Sequence, residues 1–199
     1  MKFKFVIIGL LCSTLHTGYT QGDSGVNYRD FPLIITLQFH SFSMPFKNIK
    51  SNFSNIGIGI GTEVSYNRKS RGVQQFHLIW YRNATMGNGL LAYSQATWRP
   101  SLGSNVYTEL KLGAGYLLSK RPTESFKQKN GEWVSVGKKG KGMFTIPLGL
   151  SVGYENELEQ THVSPFASYQ FLVLTDYNKS IPVVPQTLIQ LGNRIHFKD

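Results

Sequence analysis

The chain has 199 residues, the length of one ordinary domain or a single barrel. Charged residues make up 16% and aromatics 13%, with 20 glycines, a composition able to bury a core and therefore not that of a disordered chain. The one cysteine, Cys12, falls within an N-terminal leader, so residues 21–199 hold no thiol; disulfide scaffolds, thiolate metal sites and cysteine nucleophiles are excluded.

Residues 1–20 read as a secretory signal. Lys2 and Lys4 give a positive start, Phe5–Leu11 is an apolar run too short to span a bilayer, and Gly18-Tyr19-Thr20 offers a cleavage site before Gln21. Lipoprotein cleavage before Cys12 would put Leu11 where a small residue is wanted. Residues 21–199 then form one domain, with 19 basic residues against 11 acidic, net +8. Nothing in it is apolar for long enough to make a transmembrane helix, so a membrane location requires a β-barrel.

Eight segments alternate in polarity. Leu33–Phe42 sets Leu33, Ile35, Leu37 and Phe39 against Thr36, Gln38 and His40. Asn55–Tyr66 is the clearest, with Ile56, Ile58, Ile60, Val64 and Tyr66 opposite Gly57, Gly59, Gly61 and Glu63; in a helix those isoleucines would spiral around every side. Val73–Asn83 sets Phe76, Leu78 and Trp80 against Gln75, His77 and Tyr81, and Leu90–Trp98 is the weakest pattern. Val106–Leu118 puts Leu110, Leu112, Ala114 and Tyr116 opposite Glu109, Lys111, Gly113 and Gly115. Met143–Tyr154, Val163–Thr175 and Thr187–Phe197 complete the set, the last with Ile189, Leu191, Ile195 and Phe197 opposite Gln190, Gly192, Arg194 and His196. The connections Ser43–Ser54, Ser119–Gly142 and Asp176–Gln186 are long, whereas Asn67–Gly72, Arg99–Asn105 and Glu155–His162 are short; Ala84–Gly89 is one short member of the long set. Up-and-down barrels of bacterial outer membranes alternate in this way, with short periplasmic turns and long outer loops.

A soluble eight-stranded barrel would keep bulky side chains inside and charges outside. Here the polar face carries Gly57, Gly59, Gly61, Gly113, Gly115, Gly149, Gly153 and Gly192 beside Glu63, Glu109, Lys111 and Arg194. In water, with that face turned inward, the barrel would be hollow under an outer wall of Ile, Leu, Phe and Tyr. In lipid the same pattern works, with the apolar face on acyl chains and the charges paired in a small lumen. The expected fold class is therefore all-β, an eight-stranded antiparallel up-and-down transmembrane barrel.

The ending Gln190-x-Gly192-x-x-Ile195-x-Phe197 resembles the β-signal of outer-membrane proteins, which implies recognition by the outer-membrane assembly machinery; Lys198 and Asp199 come after the terminal aromatic. Over residues 21–199 the chain resembles the small eight-stranded outer-membrane barrels of the OmpA/OmpX type. Its Gly-rich second strand and Arg-Ile-His-Phe ending also resemble uncharacterised barrels of Bacteroidota, a likeness that carries no activity with it. The resemblance implies the outer membrane of a Gram-negative bacterium, with both termini periplasmic.

Glu63, His77, Glu109, Lys111, Arg194 and His196 are expected in the lumen as a charge network, since buried charges must be paired; a gated or proton-linked path is the alternative. The connection Ser119–Gly142 holds Lys120, Arg121, Lys127, Lys129, Lys138, Lys139 and Lys141 against Glu124 and Glu132, net +5, with Phe126 and Trp133 interleaved. Such a run can be plain solvated surface. Beside phosphate-rich lipopolysaccharide it would be attracted to the membrane, with Trp133 and Phe126 suited to the interface; an envelope partner protein is the other reading, and the signal sequence argues against nucleic acid. Docking as an accessory subunit of a larger outer-membrane complex stays open. An enzyme would need a nucleophile and base, as in lipid A acyl hydrolases with a His-x-Ser pair on one strand face. His162-Val163-Ser164 has that spacing at the wrong end, and a looser set of His40, Ser43 and Asp176 is the alternative at the outer rim. The histidines His40, His77, His162 and His196 sit on four different strands, so no metal is expected, and no cofactor.

Overall fold

In the computed structural model residues 31–41, 53, 55–66, 71–83, 87–103, 105–120, 122–124, 126–138, 140–157, 161–177 and 182–197 are described. The expected signal sequence lies outside them, as do Ser43, Arg121, Lys139, Lys198 and Asp199. The strands in chain order are β1 Leu33–Ser41, β2 Ile56–Ser65, β3 Gly72–Tyr81, β4 Asn88–Trp98, β5 Val106–Lys120, β6 Phe126–Lys129, β7 Glu132–Ser135, β8 Gly140–Tyr154, β9 Asn156–Glu157, β10 Thr161–Thr175 and β11 Val183–Phe197. Each of β1, β2, β3, β4, β5, β8, β10 and β11 pairs with the next, and β11 returns to β1, which closes an antiparallel barrel of eight strands. The eight alternating segments are these eight strands. Strands β6 and β7 form a separate hairpin, and β9 adds two residues beside β10.

Several strands run further than the alternation indicates. The β5–β8 ladder continues to Lys120 opposite Gly140, so the connection expected over Ser119–Gly142 is shorter, with the β6–β7 hairpin inside it. Strand β11 begins at Val183, within a stretch read from the sequence as loop. Its Pro185 pairs with Val173 of β10. Pro147 falls where the β5–β8 ladder is interrupted between Leu112–Leu148 and Gly115–Thr145. Pro165 stands just beyond the end of the β8–β10 ladder at Gly153–Phe166. The rings of Pro147 and Pro165 sit where one ladder hydrogen bond is missing anyway.

The outward faces make an apolar wall. Ile58 is 63% exposed, Leu112 56% and Leu150 57%, and none of the described outward positions between the rims bears a charge. Water would not tolerate a belt of this extent, whereas hydrocarbon does. Phe31, Tyr66, Trp98, Tyr154 and Phe197 stand exposed around the end with short turns, and Trp80, Tyr116 and Phe144 toward the end with long loops, as interfacial girdles.

The inward glycines are not the empty space the sequence suggested. A Cβ on Gly89 would meet the Tyr81 ring at 2.3 Å, one on Gly153 the Tyr107 ring at 2.1 Å, and one on Gly61 the His77 ring at 2.7 Å. A ring of the neighbouring strand lies over each of these three glycines. The lumen is filled by side chains reaching across from the next strand.

Candidate functional site

The lumen is layered. Nearest the short turns lies a charge cluster, built by β2 (Glu63), β5 (Glu109 and Lys111), β11 (Arg194) and the turn after β4 (Arg99). Arg99 Nη2 is 2.7 Å from Glu63 Oε2 and Arg99 Nε donates to Glu109 Oε1 at 2.8 Å. Arg194 Nη2 donates to the same Glu109 oxygen at 2.8 Å, Lys111 Nζ lies 2.9 Å from Glu109 Oε2, and Ser151 Oγ donates to that oxygen at 2.5 Å. Arg194 Nε is 3.0 Å from Glu63 Oε2, close enough for an ion pair though off the hydrogen-bond axis. Arg194 Nη1 donates to the Tyr107 hydroxyl at 2.9 Å, and Tyr107 carries both guanidinium groups above its ring at 5.4 and 5.5 Å. The cluster is buried and holds three cations against two carboxylates, so each carboxylate serves more than one cation.

Four of the expected lumen residues, Glu63, Glu109, Lys111 and Arg194, thus come together. His77 is buried beside them but makes no hydrogen bond through either ring nitrogen; it stacks on Tyr93 at 5.0 Å. His196 lies half-buried further toward the turn end on the same face of β11 as Arg194. Sequence reasoning missed Arg99, the first residue beyond β4. Its signal was there: a base followed by Pro100, at the mouth of a lumen containing two carboxylates.

Above the charges lies a band of amides. Gln75 Nε2 donates to Glu63 at 3.0 Å, Gln95 Nε2 to Gln75 Oε1 at 2.8 Å, and Gln190 Nε2 to the Tyr93 hydroxyl at 3.1 Å. Nearest the long loops the lumen becomes apolar, which the expectation of a small polar lumen did not include. Ile79, Leu91, Leu117, Leu172, Leu174 and Leu188 are fully buried there in one cluster. Hydrogen-bonding capacity is concentrated in the lower two layers and the His40 corner. His40 is fully buried at the loop end, stacked on Tyr81 at 4.1 Å, with Nε2 2.8 Å from Gln186 Oε1 and Nδ1 3.4 Å from Asn83 Nδ2. Of the catalytic alternative only His40 and Asp176 are described; Asp176 follows β10 with a φ of 60°. Among the described residues no group of three or more His, Cys, Asp or Glu is arranged to hold a metal.

At the loop end the β6–β7 hairpin turns through Asn130 and Gly131, with φ of 53° and 88°, the left-handed pair that a two-residue hairpin turn requires. Phe126 pairs with Ser135 and Gln128 with Trp133, so both aromatics share one face; Lys127, Lys129, Glu132 and Val134 share the other. The interleaving seen in the sequence becomes a sorting into an aromatic side and a side carrying both lysines beside Glu132 and Val134. All eight strand residues are exposed, Trp133 at 69%. Lys138 is exposed beyond the hairpin and Lys120 ends β5. Lys141 departs from the expected surface-loop role: β8 extends through it, and its half-buried Nζ donates to the Tyr177 carbonyl, tying β8 to the next loop.

In the terminal strand Gln190 and Arg194 point into the lumen and Leu191 and Phe197 stand on the wall, with Ile195 half-buried on the same side. Gly192 faces inward, where a Cβ would meet Thr36 and the Ile35 carbonyl. No protein-family model and no curated protein matches the sequence. Solved structures do match. Ail, the attachment invasion locus protein of Yersinia pestis, is 14% identical with a TM-score of 0.52, over 85% of this chain and 99% of that one. Neisserial surface protein A is 12% identical with a TM-score of 0.52, over 88% of this chain and 100% of that one. At such identity the likeness is one of fold, and the fold is that of the small eight-stranded outer-membrane β-barrels of the OmpA/OmpX type.

Proposed function

We propose that this chain is a non-enzymatic barrel of a Gram-negative outer membrane, with its termini periplasmic, whose outer hairpin contacts lipopolysaccharide. The observation carrying this reading is the two-sided β6–β7 hairpin, with Phe126 and Trp133 on one face and Lys127 and Lys129 on the other. Aromatic rings favour the membrane interface, and lysines are drawn to a surface dense in phosphate. The layered lumen supports a non-conducting wall, because an eight-stranded barrel leaves room only for side chains and leucines occupy its outer third. His40 is enclosed by Tyr81, Gln186 and Asn83, which weighs against its use as a general base on a lipid substrate. Recognition of the Gln190–Phe197 ending by the assembly machinery belongs to the same reading.

Deleting residues 122–138 should leave membrane insertion and heat-resistant electrophoretic migration intact. It should also lower the retention of purified lipopolysaccharide by the barrel, with the lost fraction being the salt-sensitive one. Retention unchanged by the deletion would refute the proposal. A second reading is favoured by the hairpin's edges, which no strand pairs among the described residues, each a template for a strand of an envelope partner protein. Cross-linking from Lys127 to a protein instead of to lipopolysaccharide would select it.

A further inference from the structure

A second basic feature lies on the wall, below the hairpin. Arg82 stands one residue beyond the Tyr81–Gly89 pair and therefore opposite Asn88; Asn88 pairs with Lys120, and Lys120 with Gly140. Arg82, Asn88 and Lys120 thus form one row across β3, β4 and β5, all exposed and on the outward face, with no acidic residue among them. Arg82 and Lys120 are two strand spacings apart, about 10 Å. The row beneath is Trp80, Leu90 and Leu118, fully in the apolar wall. On the other side of the barrel the same rim presents Thr175, Val183 and Ile56 at outward positions, and no base among them.

Below Trp80, Leu90 and Leu118 the wall is indented. A groove of about 780 Å³ runs between Leu78 and Tyr116, with Phe144 beside it and the small residues Ala92, Ser94 and Ala114 as its floor. Ala92 lies four residues from Asn88, about 13 Å along the strand. In a bilayer such an indentation is filled by hydrocarbon, since a void there would forfeit contacts on both sides.

We infer that this face of β3–β5 is a binding site for one phosphorylated glycolipid of the outer leaflet, its phosphates on Arg82 and Lys120 and one acyl chain in the groove over Ala92 and Ala114. The assignment rests on the proposed orientation, with the long loops outside, but not on the hairpin. Charge and shape complementarity select the occupant: two cations at headgroup height, and a tail-sized apolar slot beneath them.

The test is native mass spectrometry of the full barrel released from detergent with bisphosphorylated lipid A or with its dephosphorylated form. The wild-type barrel should retain the phosphorylated lipid and release the other. R82Q/K120Q should weaken retention about thirtyfold, from two headgroup cations lost. A114F should weaken it with both cations in place, by filling the groove. In the hairpin deletion lipid A should still be retained and R82Q/K120Q should still weaken that retention, which separates failure of this site from failure of the hairpin reading. Equal retention of the dephosphorylated lipid, or retention by R82Q/K120Q equal to wild type, would overturn the assignment. Because the lipid comparison uses the unmodified barrel, it decides even where a variant folds poorly.

Discussion

Glu109 is the hub of the lumen's charge cluster, and Glu109→Gln perturbs it most selectively. Its carboxylate meets Arg99 and Arg194 at 2.8 Å, Lys111 at 2.9 Å and Ser151 at 2.5 Å. Glutamine keeps the shape, removes the charge and turns an amide NH2 toward these cations, leaving three cations on the single carboxylate of Glu63. Removing one partner from a buried pair costs about 3–5 kcal/mol, and with several cations deprived at once the upper part of that range is expected. Lys111→Met is the matched control. It leaves Arg99 and Arg194 facing Glu63 and Glu109, two against two. It also replaces a buried ammonium by an apolar chain beside the Phe166 ring, which lies 5.1 Å from Nζ. Such replacements are often neutral or stabilising, so the change should stay within about 1 kcal/mol. Urea unfolding of the barrel in phospholipid vesicles, followed by tryptophan fluorescence, reads both. Equal losses in the two variants, or none in Glu109→Gln, would refute a cation-rich cluster organised by Glu109.

Two further outcomes concern the packing and the wall. Gly115→Ala puts a Cβ 2.4 Å from that of Tyr93 and 2.7 Å from the Ala92 carbonyl, and should cost about 1–3 kcal/mol in the same unfolding assay; Gly103→Ala meets nothing within 4 Å and should change stability by less than about 0.5 kcal/mol. Leu112→Arg, at mid-wall, should cost about 2–4 kcal/mol if the belt faces hydrocarbon, whereas Val134→Arg on the hairpin should cost nothing measurable; equal effects would deny the belt its lipid.

The barrel was legible because one face of β2 is isoleucine and the other glycine, a pattern only a strand can sort. Most segment ends were less legible, for a physical reason. The lumen changes from charged to apolar along its axis, so near the long loops both faces of a strand become apolar. Leu78–Tyr81, Leu90–Leu91, Leu117–Leu118 and Phe171–Leu174 read as continuous apolar runs, and all lie at the loop end of their strands. Alternation fades there, and the residues added beyond it, Ser119–Lys120 in β5, Gly140–Gly142 in β8 and the stretch around Pro185 in β11, carry loop-like residues that gave no strand pattern of their own. Arg99 escaped for a different reason: a residue just past a strand has no face until the turn's path is known. Lys141 escaped because charge alone does not say which lysine is held by a carbonyl of another loop.

The layering also bears on where function can reside. Charges, amides and leucines succeed one another up the lumen, and each layer spends its side chains on its neighbours: carboxylates on guanidinium groups, glutamines on glutamines, leucines on leucines. A solute crossing it would have to break buried ion pairs and then displace a close-packed apolar cluster, two costs of opposite chemistry that no single ligand can offset. Residues turned outward carry no such internal commitments. Trp133, Lys127, Arg82 and Lys120 are exposed, and their charge or aromatic surface is turned away from the lumen's pairings. The proposed recognition is accordingly placed on the rim and the hairpin, where side chains are free of the lumen's pairings.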